Sequence, residues 1–241
     1  MISVCMATHN GEKYIREQLD SILPQLSEND ELIISDDGST DKTCEIILQY
    51  NDPRIKLLHF IHPVKFNDNF ASHRYASKNC ENAISKAKGE YIFLCDQDDI
   101  WTHDKVSKCL DALSSSILVK HNGIMVNESG DYLHFESSRT PISKHLLINI
   151  WKLRCPGSHI AFRQELLSIA LPFPERLISH DAWIGCLASY VGKCISLNQP
   201  LIRYRIHSGN VSVHKHNRLL RKIGYRINLC MQIISRIYHF K

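Results

Sequence analysis

The stretch Tyr91-Ile92-Phe93-Leu94-Cys95-Asp96-Gln97-Asp98-Asp99 decides the fold class of this chain. Its apolar start, with β-branched and aromatic members, is typical of a strand buried in a parallel sheet. Three carboxylates follow within four residues, at the edge where open α/β sheets bind ligands. Such a concentration of negative charge is costly unless a cation joins it. The run therefore predicts a divalent cation holding a phosphorylated ligand, since hard cations prefer carboxylate oxygens. Acids also favour helix starts, so a capped helix over 102–113 is the simpler alternative.

Strands and helices alternate around this run. Strands are predicted over 2–7, 32–35, 55–60 and 91–95, and helices over 14–23, 42–50 and 70–88. This alternation indicates βαβ units and a parallel sheet flanked by helices. Right-handed crossovers place the carboxyl ends of all four strands on one edge. We therefore expect one crevice to collect three polar clusters, which are Thr8-His9-Asn10, Asp36-Asp37-Gly38 and Asp96-Gln97-Asp98-Asp99.

The second half of the chain is less regular. Residues 117–126 and 132–135 are predicted to pair as strands around a turn-rich link. Residues 159–162 form an apolar segment after a loop; 164–171 and 180–191 read as helices, and 193–197 and 201–204 as short strands. We expect one α/β domain over residues 1–212, followed by a basic amphipathic helix within 213–241.

Composition limits the possible classes of protein. The chain has 241 residues and 44% hydrophobic content, which suits one ordinary domain. It contains no apolar run long enough to span a membrane. Its short apolar start lacks a basic leader, so it reads as a strand rather than a signal peptide. The nine cysteines are scattered without a C-x-x-C pair, which favours reduced thiols and a cytoplasmic location.

The charge is distributed unevenly. Residues 182–241 hold ten Lys/Arg and no Asp/Glu, which leaves 19 Lys/Arg against 25 Asp/Glu, or −6, in residues 1–181. A basic tail of this kind suits an anionic surface such as phospholipid, nucleic acid or a diphosphate. The final helix either lies on an anionic membrane or packs on the domain with its charges in water.

A second polar run, Ser35-Asp36-Asp37-Gly38-Ser39-Thr40-Asp41-Lys42-Thr43, predicts a tight turn into a capped helix. A carboxylate there can accept hydrogen bonds from a ribose or a base, as in other nucleotide-binding sheets. The chain lacks both G-x-x-x-x-G-K-[ST] and a G-x-G-x-x-G after its first strand. A bound diphosphate must therefore be neutralised in another way, and a metal on Asp96 and Asp98 would do so.

Five motifs in order resemble the family 2 glycosyltransferases. They are Ala7-Thr8-His9-Asn10-Gly11-Glu12, Ser35-Asp36-Asp37-Gly38-Ser39-Thr40-Asp41, Asp96-Gln97-Asp98-Asp99-Ile100-Trp101, His180-Asp181-Ala182-Trp183 and Tyr204-Arg205-Ile206-His207. The likeness spans roughly residues 2–212. It implies the GT-A fold, a Rossmann-like, mostly parallel sheet, and a nucleotide-sugar donor.

The resemblance also implies roles for individual residues. Asp96 and Asp98 would hold Mn²⁺ or Mg²⁺ on the donor diphosphate, and His207 would complete the metal shell. Asp181 would be the general base of an inverting transfer. The residues that would bind the donor nucleotide sugar, with Asp96 counted a second time, are Thr8, His9, Asn10, Glu12, Asp36, Asp37, Asp96, Gln97 and Arg205. Trp183 and the Gly157-Ser158 loop would lie near the acceptor.

Two positions depart from the family pattern. His9 stands where the family often has Tyr beside the nucleotide base. His180 stands where the family often has Glu directly before the catalytic Asp. His9 leaves the nucleotide base open, so UDP- and dTDP-sugars both stay possible donors, whereas the His180 form resembles some polysaccharide-assembly members of the family. The acceptor implied is a glycan or a polyprenyl-diphosphate-linked sugar of surface-polysaccharide or O-antigen assembly. That reaction would place the protein peripherally on the cytoplasmic face of the inner membrane, with no nucleic acid as partner.

Two other functions remain open at this point. A haloacid-dehalogenase-like phosphatase also carries a D-x-D motif after a strand, but usually after the first strand rather than the fourth. A non-catalytic module that binds a sugar nucleotide or a nucleic acid would fit the basic tail. The chain lacks the interleaved aromatic and basic residues of a single-strand binder.

Overall fold

In a computed structural model, residues 1–62, 64–152, 155–210 and 219–240 are described. Within these ranges nine strands form one sheet, in the order β3-β2-β1-β4-β8-β6-β9-β5, with β7 paired to β6. The strands are β1 Ile2–Thr8, β2 Glu31–Asp36, β3 Ile55–His59, β4 Tyr91–Asp96, β5 Ile100–Trp101, β6 Leu118–Val126, β7 Tyr132–Ser137, β8 Ile160–Arg163 and β9 Cys194–Arg205.

Helices cover both faces of this sheet. They are α1 Ile15–Ile22, α2 Thr43–Gln49, α3 Ala71–Ile84, α4 Lys105–Leu113, α5 Leu146–Lys152, α6 Leu167–Ala170, α7 His180–Val191 and α8 Leu219–Phe240, with short 3₁₀ turns at Leu23–Gln25, Gly157–His159 and Gln164–Leu166. One core cluster lies between the sheet and α3, α7 and α8, around Phe162 and Trp183. The other lies under α1 and α4, around Met6 and Phe93. The predicted α/β class with a mostly parallel sheet is confirmed.

The register of the parallel strands aligns their polar ends. Thr8 of β1 lies opposite Asp36 of β2, and Ala7 of β1 lies opposite Asp96 of β4. Each of these strands is almost entirely buried before its polar end. Because successive residues of a strand are about 3.3 Å apart, this register fixes the three ends at nearly one level. The expected convergence of the three polar clusters on one edge is confirmed.

The second half of the chain differs more from the prediction. The antiparallel pair of β6 and β7 forms as expected. The two short strands predicted near the end are instead one long strand, β9, which runs parallel to β6 with shifts in register. Residues 198–200 continue the strand through these irregularities, although Pro200 suggested a break. The short strand β5 and the helix α5 were not predicted, because each is too short to show a periodic pattern.

The C-terminal helix α8 packs on the domain. Leu229 and Ile233 are buried in the same cluster as Trp183, and Arg236 donates to the backbone oxygens of Ile169 and Leu171, both at 2.9 Å. The proposed boundary between residues 212 and 213 lies outside the described residues and stays a prediction. Among the described helices, none has the length and uniform apolar character needed to cross a bilayer.

Candidate active site

A cavity of about 620 Å³ opens at the carboxyl edge of β1, β2 and β4. It reaches from the ends of these strands across to the start of α7. Seven of the predicted site residues line it, namely Thr8, His9, Asp37, Asp96, Gln97, Asp98 and Asp181. We call this space the acidic cavity. Its volume lies within the range of about 300–1,000 Å³ that small-molecule sites occupy.

Gln97 joins the ends of β1 and β4. Its Oε1 accepts from the Thr8 hydroxyl and, at 2.9 Å, from the His9 backbone N–H, while its Nε2 donates to the His9 backbone oxygen at 3.1 Å. A Cβ on Gly11 would lie 2.3 Å from the same Oε1, so a larger residue there would displace the Gln97 amide from these contacts. The middle residue of the D-x-D run therefore holds the floor of the cavity rigid.

The loop after β1 is tied to the loop after β2. His9 Nδ1 lies 2.7 Å from the Asp37 backbone oxygen, so that nitrogen carries the hydrogen. Asn10 has φ 48° and accepts at Oδ1 from Thr40 N–H at 2.8 Å. Glu12 accepts from Lys42 N–H at 2.9 Å, at the start of α2. Asn10 and Glu12 thus hold the second loop in place, whereas His9 faces the cavity.

The two acids after β2 are placed differently. Asp36 is 1% exposed and accepts from both the backbone N–H and the hydroxyl of Ser39, so it closes the turn. Asp37 lines the cavity, with its Oδ1 2.5 Å from His62 Nε2. Asp37 is therefore the acid of this pair that a ligand in the cavity can reach.

The three acids after β4 also separate into distinct environments. Asp98 Oδ2 lies 2.8 Å from His207 Nε2 and accepts from Asn210 Nδ2 at 3.2 Å. Asp96 faces the cavity, and the surrounding protein together with Asp98 and Asp181 raises its pKa to about 7. Three negative groups thus crowd one another, as expected of a site built for a cation.

Asp99 is turned away from the cavity. It is 1% exposed, and its Oδ1 accepts from the Arg205 backbone N–H at 3.0 Å. Burial, followed by the charges of Asp98 and Asp96, raises the pKa of the Asp99 carboxyl well above its usual range. Asp99 therefore joins β4 to β9 and supplies no ligand to the cavity.

Arg205 lies inside the protein frame. It is 2% exposed, and its guanidinium donates to the backbone oxygens of Asp98, at 2.9 Å, and Glu128, at 2.7 Å, and pairs with Glu17. The same group lies over the Tyr14 ring at 4.9 Å. The Arg205 side chain therefore binds the backbone of the acidic run at Asp98 and holds that run in place. It does not line the cavity.

Asp181 stands at the start of α7. Ser179 caps this helix, and Asp181 Oδ1 accepts from Ala182 N–H at 2.8 Å. The neighbouring His180 lies 3.3 Å from the Ser77 hydroxyl, and burial lowers its pKa, which keeps the imidazole neutral. Ser77, His180 and Asp181 line the cavity, and Asp181 is near enough for its charge to act on Asp96.

The expectation for Trp183 is wrong. Its side chain is 0% exposed, and its Nε1 donates to the Ala170 backbone oxygen at 3.0 Å. Position 183 follows Asp181 by two residues, so the helix turns it by roughly 200° to the opposite face. Gly157 and Ser158, in contrast, line the cavity as expected.

Lys105 is a buried basic residue beside the cavity-lining Ser158 that the sequence reasoning missed. It is 0% exposed, donates to the Ser158 backbone oxygen at 2.9 Å and lies 4.0 Å above the Trp101 ring. Burial lowers its pKa to about 8, against the opposing effect of nearby acids including Asp99 and Asp96. The signal was present in the sequence, because Lys105 stands on the apolar stripe of α4 with Val106, Cys109 and Leu113.

The donor set suits a divalent ion. Asp96 and Asp98 offer carboxylate oxygens, and His207 offers an imidazole nitrogen that already meets Asp98. Within the described ranges, three potential ligand atoms lie within 4.8 Å of one another at Asp36, Cys44 and His59, not at this set. In that group the Asp36 carboxylate already accepts two hydrogen bonds from Ser39 and closes the turn after β2.

The family model for glycosyl transferase family 2 matches residues 3–167. A similar curated protein is the Escherichia coli UDP-Glc:alpha-D-GlcNAc-diphosphoundecaprenol beta-1,3-glucosyltransferase WfaP, 26% identical over 223 residues, which are 92% of this chain and 84% of the relative. The fold is similar to that of Staphylococcus aureus TarS 1–349 in complex with UDP-GlcNAc, with a TM-score of 0.67 and 20% identity over 100% of this chain and 73% of that one.

A second similar structure is glucosyl-3-phosphoglycerate synthase from Mycobacterium tuberculosis with Mn²⁺, UDP and phosphoglyceric acid. Its TM-score is 0.57 and its identity 20%, over 98% of this chain and 78% of that one. These likenesses confirm the GT-A fold, and the family match sets aside the phosphatase and the non-catalytic module. The chain belongs to glycosyltransferase family 2 and is a glycosyltransferase.

Proposed function

We propose that this glycosyltransferase moves a hexose or deoxyhexose from a UDP- or dTDP-sugar to a lipid-linked or oligosaccharide acceptor, with inversion and with the help of Mn²⁺ or Mg²⁺. The observation that carries the proposal is the arrangement of one cavity. Asp96, Asp98 and Asp181 all line it, and Asp98 Oδ2 lies 2.8 Å from His207 Nε2. A donor diphosphate near Asp96 and Asp98 and an acceptor hydroxyl near Asp181 would therefore meet within one cavity.

The nucleotide end of the donor would lie along the ends of β1 and β2. Asp37 and His9 face the cavity there, and the Gln97 amide fixes the His9 backbone. A carboxylate can accept from a base N–H or a ribose hydroxyl at this edge of a sheet. UDP in the two similar structures supports a uridine nucleotide, although thymidine offers the same N–H.

The diphosphate would lie over Asp96 and Asp98. When bound, Mn²⁺ or Mg²⁺ supplies positive charge that stabilises the departing nucleoside diphosphate. Asp96, Asp98 and His207 would hold the ion. Hard carboxylate ligands suit both metals, and a nitrogen ligand suits Mn²⁺ better than Mg²⁺.

Asp181 would act as the base. Its carboxylate would accept the proton of the acceptor hydroxyl as that oxygen forms a bond to the anomeric carbon and the bond to the diphosphate oxygen breaks. If the base lies on the other side of the anomeric carbon from the leaving diphosphate, the hydroxyl would attack from the face opposite the nucleotide. Such an attack would invert the configuration at that carbon. The neutral His180 contacts Ser77 and gives the wall a fixed shape.

The acceptor proposal rests on the relative. WfaP carries in its name a sugar on diphosphoundecaprenol as acceptor and UDP-Glc as donor. The present chain, which covers 84% of that relative, would act on an acceptor of the same class in polysaccharide or O-antigen assembly. Such a substrate would place the protein at the cytoplasmic face of the inner membrane.

The test is transfer from a panel of nucleotide sugars to a synthetic N-acetylglucosaminyl diphosphate lipid, with Mn²⁺, Mg²⁺ or EDTA. We expect transfer from at least one UDP- or dTDP-sugar, loss of transfer with EDTA, and a product whose anomeric configuration, read by NMR, is opposite to that of the donor. Retention of configuration, or full activity in EDTA, would contradict the mechanism.

A further inference from the structure

The helix α8 is apolar on two opposite faces. Leu229 and Ile233 are buried against the domain. On the other side a row of apolar residues at spacings of four, three and four is exposed: Ile227 51%, Met231 58%, Ile234 60% and Tyr238 76%. At 3.6 residues per turn, this row lies roughly 160° from the buried one. Packing on the domain therefore leaves a complete apolar stripe uncovered.

The neighbouring helix α5 also exposes apolar side chains. Its exposed side chains are Leu147 71%, Ile148 40% and Trp151 56%. Arg226 of α8 donates to the Trp151 backbone oxygen at 2.7 Å and lies 5.5 Å from the centre of its ring, which brings the two helices together. We call these seven residues the docking surface: Leu147, Ile148, Trp151, Ile227, Met231, Ile234 and Tyr238.

Charge identifies the partner of the docking surface. Helix α5 carries Lys152 and no Asp/Glu. Helix α8 carries Arg221, Lys222, Arg226 and Arg236 and no Asp/Glu. The docking surface thus lies on two helices whose charged residues are all basic, in a chain whose first 181 residues carry a charge of −6. An apolar stripe on basic helices matches the two components of binding to an anionic lipid interface.

We infer that the docking surface binds the headgroup and acyl-chain boundary of an anionic phospholipid bilayer, with α8 lying parallel to the membrane. Trp151 and Tyr238 are side chains that favour this boundary, because each has an apolar ring and a polar group. The reason for such binding rests on the proposed lipid-linked acceptor. The binding itself needs neither donor nor acceptor, so it is measured separately from transfer.

Trp151 provides a direct probe. The chain has three tryptophans, and Trp101 and Trp183 are buried, at 4% and 0% exposure. Vesicles of phosphatidylethanolamine and phosphatidylglycerol should shift the emission to shorter wavelength and allow quenching by lipids brominated on their acyl chains. Trp151→Phe should remove this shift. Vesicles of phosphatidylcholine should bind more weakly, and high salt should weaken binding to the anionic ones.

Vesicle flotation of two matched variants tests the surface itself. Ile227→Ser/Ile234→Ser should lower the partition into anionic vesicles by about tenfold or more, since each side chain loses its burial in the lipid. Both positions are exposed, so the fold should persist. Leu48→Ser removes a side chain that is 67% exposed on α2, away from the surface, and should bind like the native chain.

Several results would overturn the inference. One is unchanged vesicle binding of the double serine variant, and another is equal binding to phosphatidylcholine and anionic vesicles. A third is a dimer in solution that the double variant converts to a monomer, together with no vesicle binding by the native protein. That result would assign the surface to a second copy of the chain. None of these outcomes depends on whether the proposed transfer reaction is correct.

Discussion

The acidic cavity and the docking surface are built in opposite ways. In the cavity several polar side chains are held by partners from distant parts of the chain, such as Asp98 by His207 and Gln97 by His9. On the docking surface the side chains that matter, such as Ile234, are exposed. The function of the cavity therefore depends on the exact positions of a few side chains. Binding by the docking surface depends on its total exposed apolar area. One substitution should abolish the function of the cavity, whereas the surface should lose binding in steps.

The largest expected effect separates the two regions. Asp181→Asn removes the base, so the rate of transfer should fall by about 10²–10⁴-fold, while vesicle binding stays at the native level. Measurement of kcat with a soluble acceptor analogue checks the loss of transfer, and vesicle flotation checks that membrane binding is unchanged. Asp111→Asn changes an exposed acid on α4 and is the matched control, with native behaviour in both assays. A large loss of flotation in Asp181→Asn would show that the regions are coupled.

The next effect concerns the cation buried behind the cavity. Lys105→Met leaves the Ser158 backbone oxygen unpaired and removes positive charge near Asp96 and Asp99, so the free energy of unfolding should fall by about 3 kcal/mol. Urea denaturation measures it. Lys108→Met removes a more exposed lysine of the same helix, paired with Asp104, and should cost less than about 1 kcal/mol. Equal losses of unfolding free energy in the two variants would show that the buried Lys105 contributes no more to stability than the more exposed Lys108.

The smallest effect depends on pH. Burial lowers the pKa of His159 to about 3 and also lowers that of His121, whose ring stacks on it at 5.4 Å. Both rings stay neutral in the fold but gain a proton in the unfolded chain below pH about 6.5. Stability is therefore present above that pH and lost as the pH falls towards 3. At pH 5.5 we expect a loss of about 1 kcal/mol for each ring.

Denaturation at pH 7.5 and 5.5 checks this pH dependence. His159→Gln should show a smaller difference between the two pH values than the native chain. His103→Gln, which removes an exposed imidazole, is the control and should keep the native difference. If both variants match the native slope, then His159 is charged in the folded protein.

Comparison of the two regions also shows what the sequence could predict. Asp37, Asp98 and Asp181 could be located because each follows a strand or opens a helix whose pattern is clear. The roles of Asp36, Asp99 and Arg205 could not, since adjacent residues in one motif point in different directions, and only the folded chain shows which one is buried. The prediction that Trp183 lies near the acceptor was wrong for the same reason, because the helix directs its side chain into the core.

The docking surface was only half visible in the sequence. Periodicity indicated one apolar stripe on the last helix, but residues such as Leu229 and Ile234 belong to different faces, and counting apolar positions does not separate them. The contribution of α5 could not be predicted, because its seven residues are distant in the chain and too short for a periodic pattern. Tertiary packing decides which apolar side chains remain exposed.

The central claim is that Asp98 helps to hold a metal ion on the donor diphosphate. Calorimetric titration of UDP, with and without Mn²⁺, tests it most directly. In the native chain Mn²⁺ should tighten UDP binding by about tenfold or more, and in Asp98→Asn this effect should vanish. Asp99→Asn should keep it, because an amide oxygen can still accept from the Arg205 backbone N–H. Equal tightening by Mn²⁺ in the native chain and in Asp98→Asn would contradict the account.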